Sequence, residues 1–210
     1  MAAVKPLRIG VMMEEVQLAD ILGADILASL SSETVETGFA AFPELLGPLR
    51  DKAPNMVFFF LGSTLEPIKV TMGLKFVPNT TYDDCPRDLD IVLIGGPWLS
   101  HRPPAADKFM KEAWEQTPVW LTTCTGSLWL ASTGLLDGLK TTTNRAFIPM
   151  AKQINPKVEW IEQRWVVESK PYTGESGAKG ELWSSGAAGC GTLCGVKHFI
   201  PKLTCLKASK

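Results

Sequence analysis

One cysteine of this chain stands where a thiol can become a nucleophile. In Thr122-Thr123-Cys124-Thr125-Gly126-Ser127 it separates a run that reads as a buried strand from one that reads as a helix. Unpaired N–H groups and the dipole at a helix start stabilise a thiolate. Gly126 and Ser127 are small enough for the sharp turn of a nucleophile elbow. A buried core cysteine is the plainer alternative, since this residue type is often interior. Two further segments carry chemistry. In Gly95-Gly96-Pro97, glycines at a strand end let backbone N–H groups face a ligand, as an oxyanion hole requires; a simple tight turn fits equally well. Glu14, Glu15 and Asp20 offer carboxylates that can face the cysteine. Glu14 and Glu15 also suit a solvated helix start. Asp20 is the sharper candidate, because a charge among Leu18, Ile21 and Leu22 needs a partner or a raised pKa.

Alternating strands and helices must position these groups. Residues 7–12 read as a buried strand. Residues 16–30 follow with helical spacing that puts Leu18, Ile21, Leu22, Ile26 and Leu30 on one face. A looser stretch around Pro43, Gly47 and Pro48 holds a short helix. Residues 55–62 are a second strand, rich in Val and Phe. Residues 69–77 alternate weakly around Gly73, as a hairpin or edge strand does. Residues 90–97 form the cleanest strand, stopped by Gly-Gly-Pro. A helix at 105–116, a strand at 118–123 and a helix at 126–136 come next. Strands at 158–167 and 181–185 flank a turn over 169–180. Such alternation predicts one α/β domain spanning 1–210, with its core at 7–195. Its doubly wound, mostly parallel sheet carries helices on both faces in flavodoxin-like style, and its site lies beyond the strands' carboxyl ends.

Composition narrows the partners. The 210 residues are 45% hydrophobic and 20% charged, with net charge -1. That excludes a disordered chain, and the lack of a basic excess argues against a nucleic-acid binder. No run approaches the roughly 20 apolar residues of a membrane span. No secretory leader is recognisable, and the five cysteines lack framework spacing; reduced thiols in the cytoplasm are expected.

The chain resembles the ThiJ/PfpI superfamily, with its class I glutamine-amidotransferase-like fold. The resemblance covers residues 7–195. It is carried by 7–12 with Gln17-Leu18-Ala19-Asp20-Ile21-Leu22-Gly23, by 90–97, and by Thr123-Cys124-Thr125-Gly126-Ser127. It continues through Gly134-Leu135-Leu136-Asp137-Gly138, Lys140-Thr141-Thr142-Thr143 and Leu182-Trp183-Ser184-Ser185-Gly186. The isocyanide-hydratase-like branch, with its fungal members, is most similar. The resemblance implies Cys124 as nucleophile and Asp20 as the acid bonded to its thiol. It implies backbone N–H groups of Gly96 and Thr125 as the oxyanion site, a homodimer, and no organic cofactor. Two departures stand out. Asn144 follows Thr142-Thr143 where many relatives carry histidine, which counts against a Cys–His dyad. His101, in the loop after Gly-Gly-Pro, is placed to reach the pocket. At the other departure, Gly191-Thr192-Leu193-Cys194 and Pro201 replace the usual C-terminal helix start.

The resulting expectation is a cofactor-independent lyase in which Cys124 adds to a small electrophile, foremost an isocyanide hydrated to an N-formamide. A glyoxalase-like reaction on an α-oxoaldehyde, a biosynthetic step on a bespoke molecule, and a redox sensor using Cys124 are the alternatives. Trp98 and Trp129 either line an apolar pocket or pack in the core, whereas Trp120 is expected in the core. Cys190, Cys194 and His198 share a helical spacing but span too far to meet one metal ion, so no metal site is expected.

Overall fold

The structure, a computed structural model, describes residues 5–174 and 178–187. Its centre is a seven-stranded sheet of order β10-β11-β7-β6-β1-β2-β5. The strands are β1 (Leu7–Met12), β2 (Met56–Gly62), β5 (Thr80–Thr81), β6 (Ile91–Ile94), β7 (Val119–Thr123), β10 (Trp165–Lys170) and β11 (Gly180–Ser185). All neighbours run parallel except β10 and β11, which form an antiparallel hairpin. Parallel strands need crossover helices, and these cover both faces, so the strands are apolar on both sides. β6 shows it: Ile91 and Leu93 join one core cluster, Val92 and Ile94 the other. Phe109, Trp120 and Trp129 anchor one face; Ile9, Met13 and Leu27 anchor the opposite one.

The helices are α1 (Leu22–Ala28), α2 (Ser32–Phe39), α3 (Pro43–Arg50), α4 (Pro104–Ala113), α5 (Gly126–Ser132) and α6 (Ile148–Ile154). Among the described residues there are also two small two-stranded ribbons. β3 (Ile68–Lys69) and β4 (Lys75–Phe76) make the hairpin expected around Gly73, whose φ is 75°. β8 (Lys140–Thr141) pairs with β9 (Glu159–Trp160). The single strand expected over 158–167 is therefore two, β9 and β10, in different sheets.

The chain leaves β1 for β2 on one side and returns to β6 on the other. That reversal opens a crevice at the carboxyl ends of β1 and β6, the place where open α/β sheets bind ligands. All three chemically suggestive segments converge there: 14–20 after β1, 95–97 after β6, and 124–127 after β7.

One element differs instructively from its sequence pattern. The helix expected over 16–30 begins as a 3-10 turn, Leu18–Ile21, and only then becomes α1. A 3-10 turn advances three residues per turn and so rotates the helix phase. Gly23, Ala24 and Leu27 consequently face inward, Leu22 is 44% exposed, and Asp20 is fully buried. The cluster of Cys190, Cys194 and His198 lies outside the described residues.

The phase shift has a direct test in urea denaturation. Leu27→Ala is expected to cost about 2–5 kcal/mol, the range for emptying a packed site. Leu22→Ala should cost less than about 1 kcal/mol. The reverse order would restore an uninterrupted helix.

Candidate active site

Cys124 follows the last residue of β7 and precedes α5 by one residue. Its φ is 51°, a left-handed conformation that costs a β-substituted residue of order 1–3 kcal/mol. Several bonds hold it there. Its N–H donates to the Ser185 carbonyl at 3.0 Å, and its own carbonyl accepts from the hydroxyls of Thr143 at 2.8 Å and Ser127 at 3.3 Å. The turn is possible because Gly126 has no side chain: a Cβ there would stand 2.6 Å from the Ile94 carbonyl oxygen.

The sulfur has three polar neighbours. Asn144 Nδ2 points to it at 3.9 Å, while Asn144 Oδ1 accepts from the Ala146 N–H. The N–H and hydroxyl of Thr125 also lie beside it. Burial nevertheless pushes the thiol up, the Asp20 charge pushes the same way, and the Thr125 and Asn144 donors offset this only in part. The thiolate expected from a helix start is thus corrected. The resting group is a neutral thiol, because desolvation and a carboxylate outweigh one short helix.

Asp20 is fully buried. Its Oδ2 accepts from the Gly96 N–H at 3.0 Å, and among the described residues its Oδ1 has no hydrogen-bond partner, so the expected direct bond from Asp20 to the thiol is corrected: the carboxylate acts on the sulfur through its charge. Its backbone carbonyl accepts from the Thr123 hydroxyl at 2.9 Å, which ties the 3-10 turn to β7. Burial raises the Asp20 pKa from 3.8 to about 6, against the opposing pull of the Gly96 N–H.

The Gly-Gly-Pro turn is a packing device. The Gly96 N–H is committed to Asp20, so its expected place in an oxyanion hole is corrected: it serves the acid. A Cβ on Gly96 would meet Asp20 Oδ2 and Thr125 Oγ1, each at 2.7 Å. Gly95 is likewise wedged, here against Val16 and Ile21. The Thr125 hydroxyl donates to the Pro97 carbonyl at 2.9 Å. Thr125 keeps its N–H beside the sulfur.

The aromatic candidates part company. Trp98 is 75% exposed at the lip of the turn, whereas Trp129 is a core residue without exposure. The His101 ring meets Trp129 edge-on at 5.4 Å. His101 Nε2 lies 3.3 Å from Glu14 Oε2, and Nδ1 lies 3.7 Å from Glu15 Oε2. Glu14 accepts from the N–H of Ser63 at 2.7 Å and from its hydroxyl at 3.0 Å. Burial pushes Glu14 up, but the His101 and Ser63 bonds win and hold it below the usual carboxylate range. Tyr82, buried beside Glu14, has its phenol raised by burial and by that charge. Sequence reading singled out Glu14, Glu15 and His101 but missed Ser63, Tyr82 and Thr143. Ser63 had a signal as a polar residue just past the carboxyl end of a buried strand, and Thr143 had one in the Lys140-Thr141-Thr142-Thr143 run.

Comparison with known proteins turns geometry into kinship. The sequence model of the DJ-1/PfpI family matches residues 55–185. The chain belongs to the DJ-1/PfpI family. It is 32% identical over 125 residues to an isonitrile hydratase of Pseudomonas putida. That match spans 54% of each chain, so it reaches about half the length of the curated relative. Among solved structures, a ThiJ/PfpI family protein from Pseudomonas syringae superposes with a TM-score of 0.67 at 15% identity, covering 99% of this chain and 76% of that one. Schizosaccharomyces pombe DJ-1 gives 0.61 at 12% identity, over 97% and 100%. An AraC family transcriptional regulator from Pseudomonas putida gives 0.64 at 11%, over 95% and 96%. The DJ-1/PfpI fold therefore serves more than one kind of protein, and function must be argued from the site. Among the described residues no helix is long and apolar enough to cross a membrane, and no His/Cys/Asp/Glu cluster could hold a metal ion.

The buried acid makes a stability prediction. Because the native pKa of Asp20 is raised, its protonation favours the folded state. That contribution is complete below about pH 4 and is lost as pH rises through about 6. At pH 8 the buried anion costs up to about 3 kcal/mol. Asp20→Asn keeps an acceptor for Gly96 and removes the charge. It should be more stable than wild type at pH 8 by up to that amount, with the gap closing towards pH 4. Equal gaps at the two pH values in urea denaturation would show that the carboxyl is not ionising in a desolvated site.

Proposed function

We propose that the protein is a cysteine-dependent enzyme that hydrates an isocyanide to an N-formamide. The observation that carries this reading is the pairing of a neutral, half-buried thiol with a buried carboxyl that titrates near 6. The similarity to an isonitrile hydratase supports the choice of substrate class.

The chemistry follows from the proton inventory. At pH 7 Asp20 is about nine-tenths ionised, and Cys124 is protonated. As sulfur attacks the terminal carbon, forming the C–S bond, its proton passes to the Asp20 carboxylate. Asp20 then delivers that proton to the same carbon, giving a thioimidate, R–N=CH–S. Water adds to the carbon while Asp20 accepts one of its protons and the nitrogen gains one. The tetrahedral adduct collapses to a carbonyl, the C–S bond breaks, and the sulfur recovers its proton. One water is consumed, and no redox change occurs. The Thr125 N–H and Asn144 amide bracket the sulfur, where they orient the adduct through hydrogen bonds.

The raised thiol also weighs between readings. A peroxide sensor depends on a resting thiolate, which burial and Asp20 both oppose. A glyoxalase-like reaction must move a carbon-bound proton, and with Asn144 where many relatives carry histidine that step would fall to Asp20 alone.

Purified protein incubated with alkyl and aryl isocyanides should release the N-formamides with saturation kinetics. Cys124→Ser should abolish turnover. Asp20→Asn should lower kcat on the order of 10²-fold or more, in a folded protein. The acid limb of kcat/KM should fall near pH 6, where the base becomes protonated. Full activity of Asp20→Asn, or turnover of α-oxoaldehydes with none of isocyanides, would overturn the assignment.

A further inference from the structure

Outside the thiol and its acid, the molecule carries a second built cluster of ionisable groups: Glu14, Glu15 and His101. Its construction is deliberate. Among the described residues only two non-glycine residues have positive φ, Cys124 and Glu15, the latter at 52°. That conformation places consecutive carboxylates on either side of one imidazole. Glu14 points inward, fixed by both donors of Ser63; Glu15 stays half-exposed at the other ring nitrogen. Trp129, from the helix that Cys124 initiates, supports the ring edge-on.

The backbone from Gly96 to His101 links this cluster to the reacting centre. The Gly96 N–H holds Asp20, the Pro97 carbonyl is held by Thr125, and the Trp98 carbonyl accepts from the His101 N–H at 2.9 Å. Between those anchors Trp98, Leu99 and Ser100 are exposed, so the segment gains little from burial. Exposed segments of this kind open at low free-energy cost unless tied at their ends. The His101 side chain is that tie.

We propose that the Glu14–His101 pair is a positioning clamp that holds the Gly96–Trp98 turn against Asp20, so that removing His101 loosens the Gly96 N–H from a carboxylate that His101 does not touch. The proposal deepens, and rests on, the reading of Asp20 as the proton-handling group. The titratable groups in question are few. His101 is faced by Glu14 and Glu15, with Arg102 next in sequence donating to the His101 carbonyl. Glu14 is faced by Tyr82, and Asp20 by the Cys124 thiol. The hydrogen bond Asp20 accepts comes from the Gly96 N–H, while the two ring nitrogens of His101 face Glu14 and Glu15. The hydrogen-bonded path from His101 to Asp20 therefore runs through the turn.

The test reads Asp20 directly and needs no substrate, so it stands apart from the fate of the hydratase reading. Carboxyl carbons of ¹³C-labelled aspartate are followed by NMR against pH in the full chain, with Asp20 assigned by its loss in Asp20→Asn. In wild type the Asp20 midpoint is expected near 6. In His101→Ala it should rise by about one unit, a tenfold gain in proton affinity. His101→Gln keeps a donor able to reach Glu14 and should return the midpoint close to the wild-type value. If His101→Ala does not fold, His101→Asn, too short to bridge to Glu14, carries the same expectation. An unchanged midpoint in the shortened variants would overturn the clamp. So would a rise in His101→Gln as large as in His101→Ala, because that would mark a direct effect of the imidazole.

Discussion

A carboxylate taken out of water asks for several donors, and Asp20 receives one. The Gly96 N–H on Oδ2 is the bond around which the site is arranged. It joins the turn after β1 to the end of β6, the two strands on which the topological reversal turns. It also dictates residue size. No side chain fits at position 96 between the carboxylate and Thr125, and none fits at 126 beneath the β6 carbonyls. The glycines of the site are thus spacers that allow three strand ends to approach within hydrogen-bond distance. With the second oxygen unpartnered among the described residues, the anion is undersolvated, and its pKa is raised despite the Gly96 donor.

Backbone strain is placed where this approach needs it. Cys124 holds a left-handed conformation because β7 and α5 meet too closely for a gradual turn. The surrounding Ser185, Thr143 and Ser127 contacts over-determine it. Glu15 is the counterpart on the facing segment. Its positive φ sends Glu14 inward to Ser63 and leaves Glu15 outside, so one conformational exception generates the bracket around His101. The two carboxylates nearest the crevice consequently have opposite fates. Glu14 has enough donors to be held below the usual carboxylate range, whereas burial with a single donor raises Asp20.

Much of this was legible in the sequence because it is local. Runs such as Ile91–Ile94 are apolar at every position, as strands covered on both faces must be. The elbow announced itself through small residues after Cys124, and Asp20 through its charge among apolar neighbours. What was not legible depends on contacts distant in the chain. The 3-10 start of the first helix carries no periodic mark, so its phase was misplaced by Leu22. α2, with its polar Ser-Glu-Thr-Val-Glu-Thr run, buries only Val35 and shows no apolar stripe to betray it. The sequence offers both a helix start and a facing carboxylate for Cys124, and only the folded chain shows that burial and the Asp20 charge outweigh the dipole. Gly96 lies against Asp20 and Thr125 at the end of β6, and only the folded chain shows that its donor is already used. Trp98 and Trp129 differ in nothing a single sequence displays. One follows a turn into solvent, the other sits on the buried side of α5.

The sign of the thiol shift gives the arrangement its chemical meaning. A site built to keep a thiolate ready would surround sulfur with cations or several N–H donors and remove nearby anions. Here a carboxylate raises the thiol further and both groups are desolvated, so each has a raised affinity for a proton. Such a pair is poorly suited to a reagent that needs only an anion, and well suited to one that needs a nucleophile and a proton at the same carbon. The terminal carbon of an isocyanide is of that kind: it accepts sulfur and hydrogen together, and neither alone gives a stable product. A carboxyl near 6 can take the proton as sulfur loses it and release it a step later without leaving the neutral range. The single N–H that sets this balance comes from Gly96. In the proposed hydration, the position of an otherwise exposed loop, and the residues that pin it, therefore weigh as much as the identity of the nucleophile.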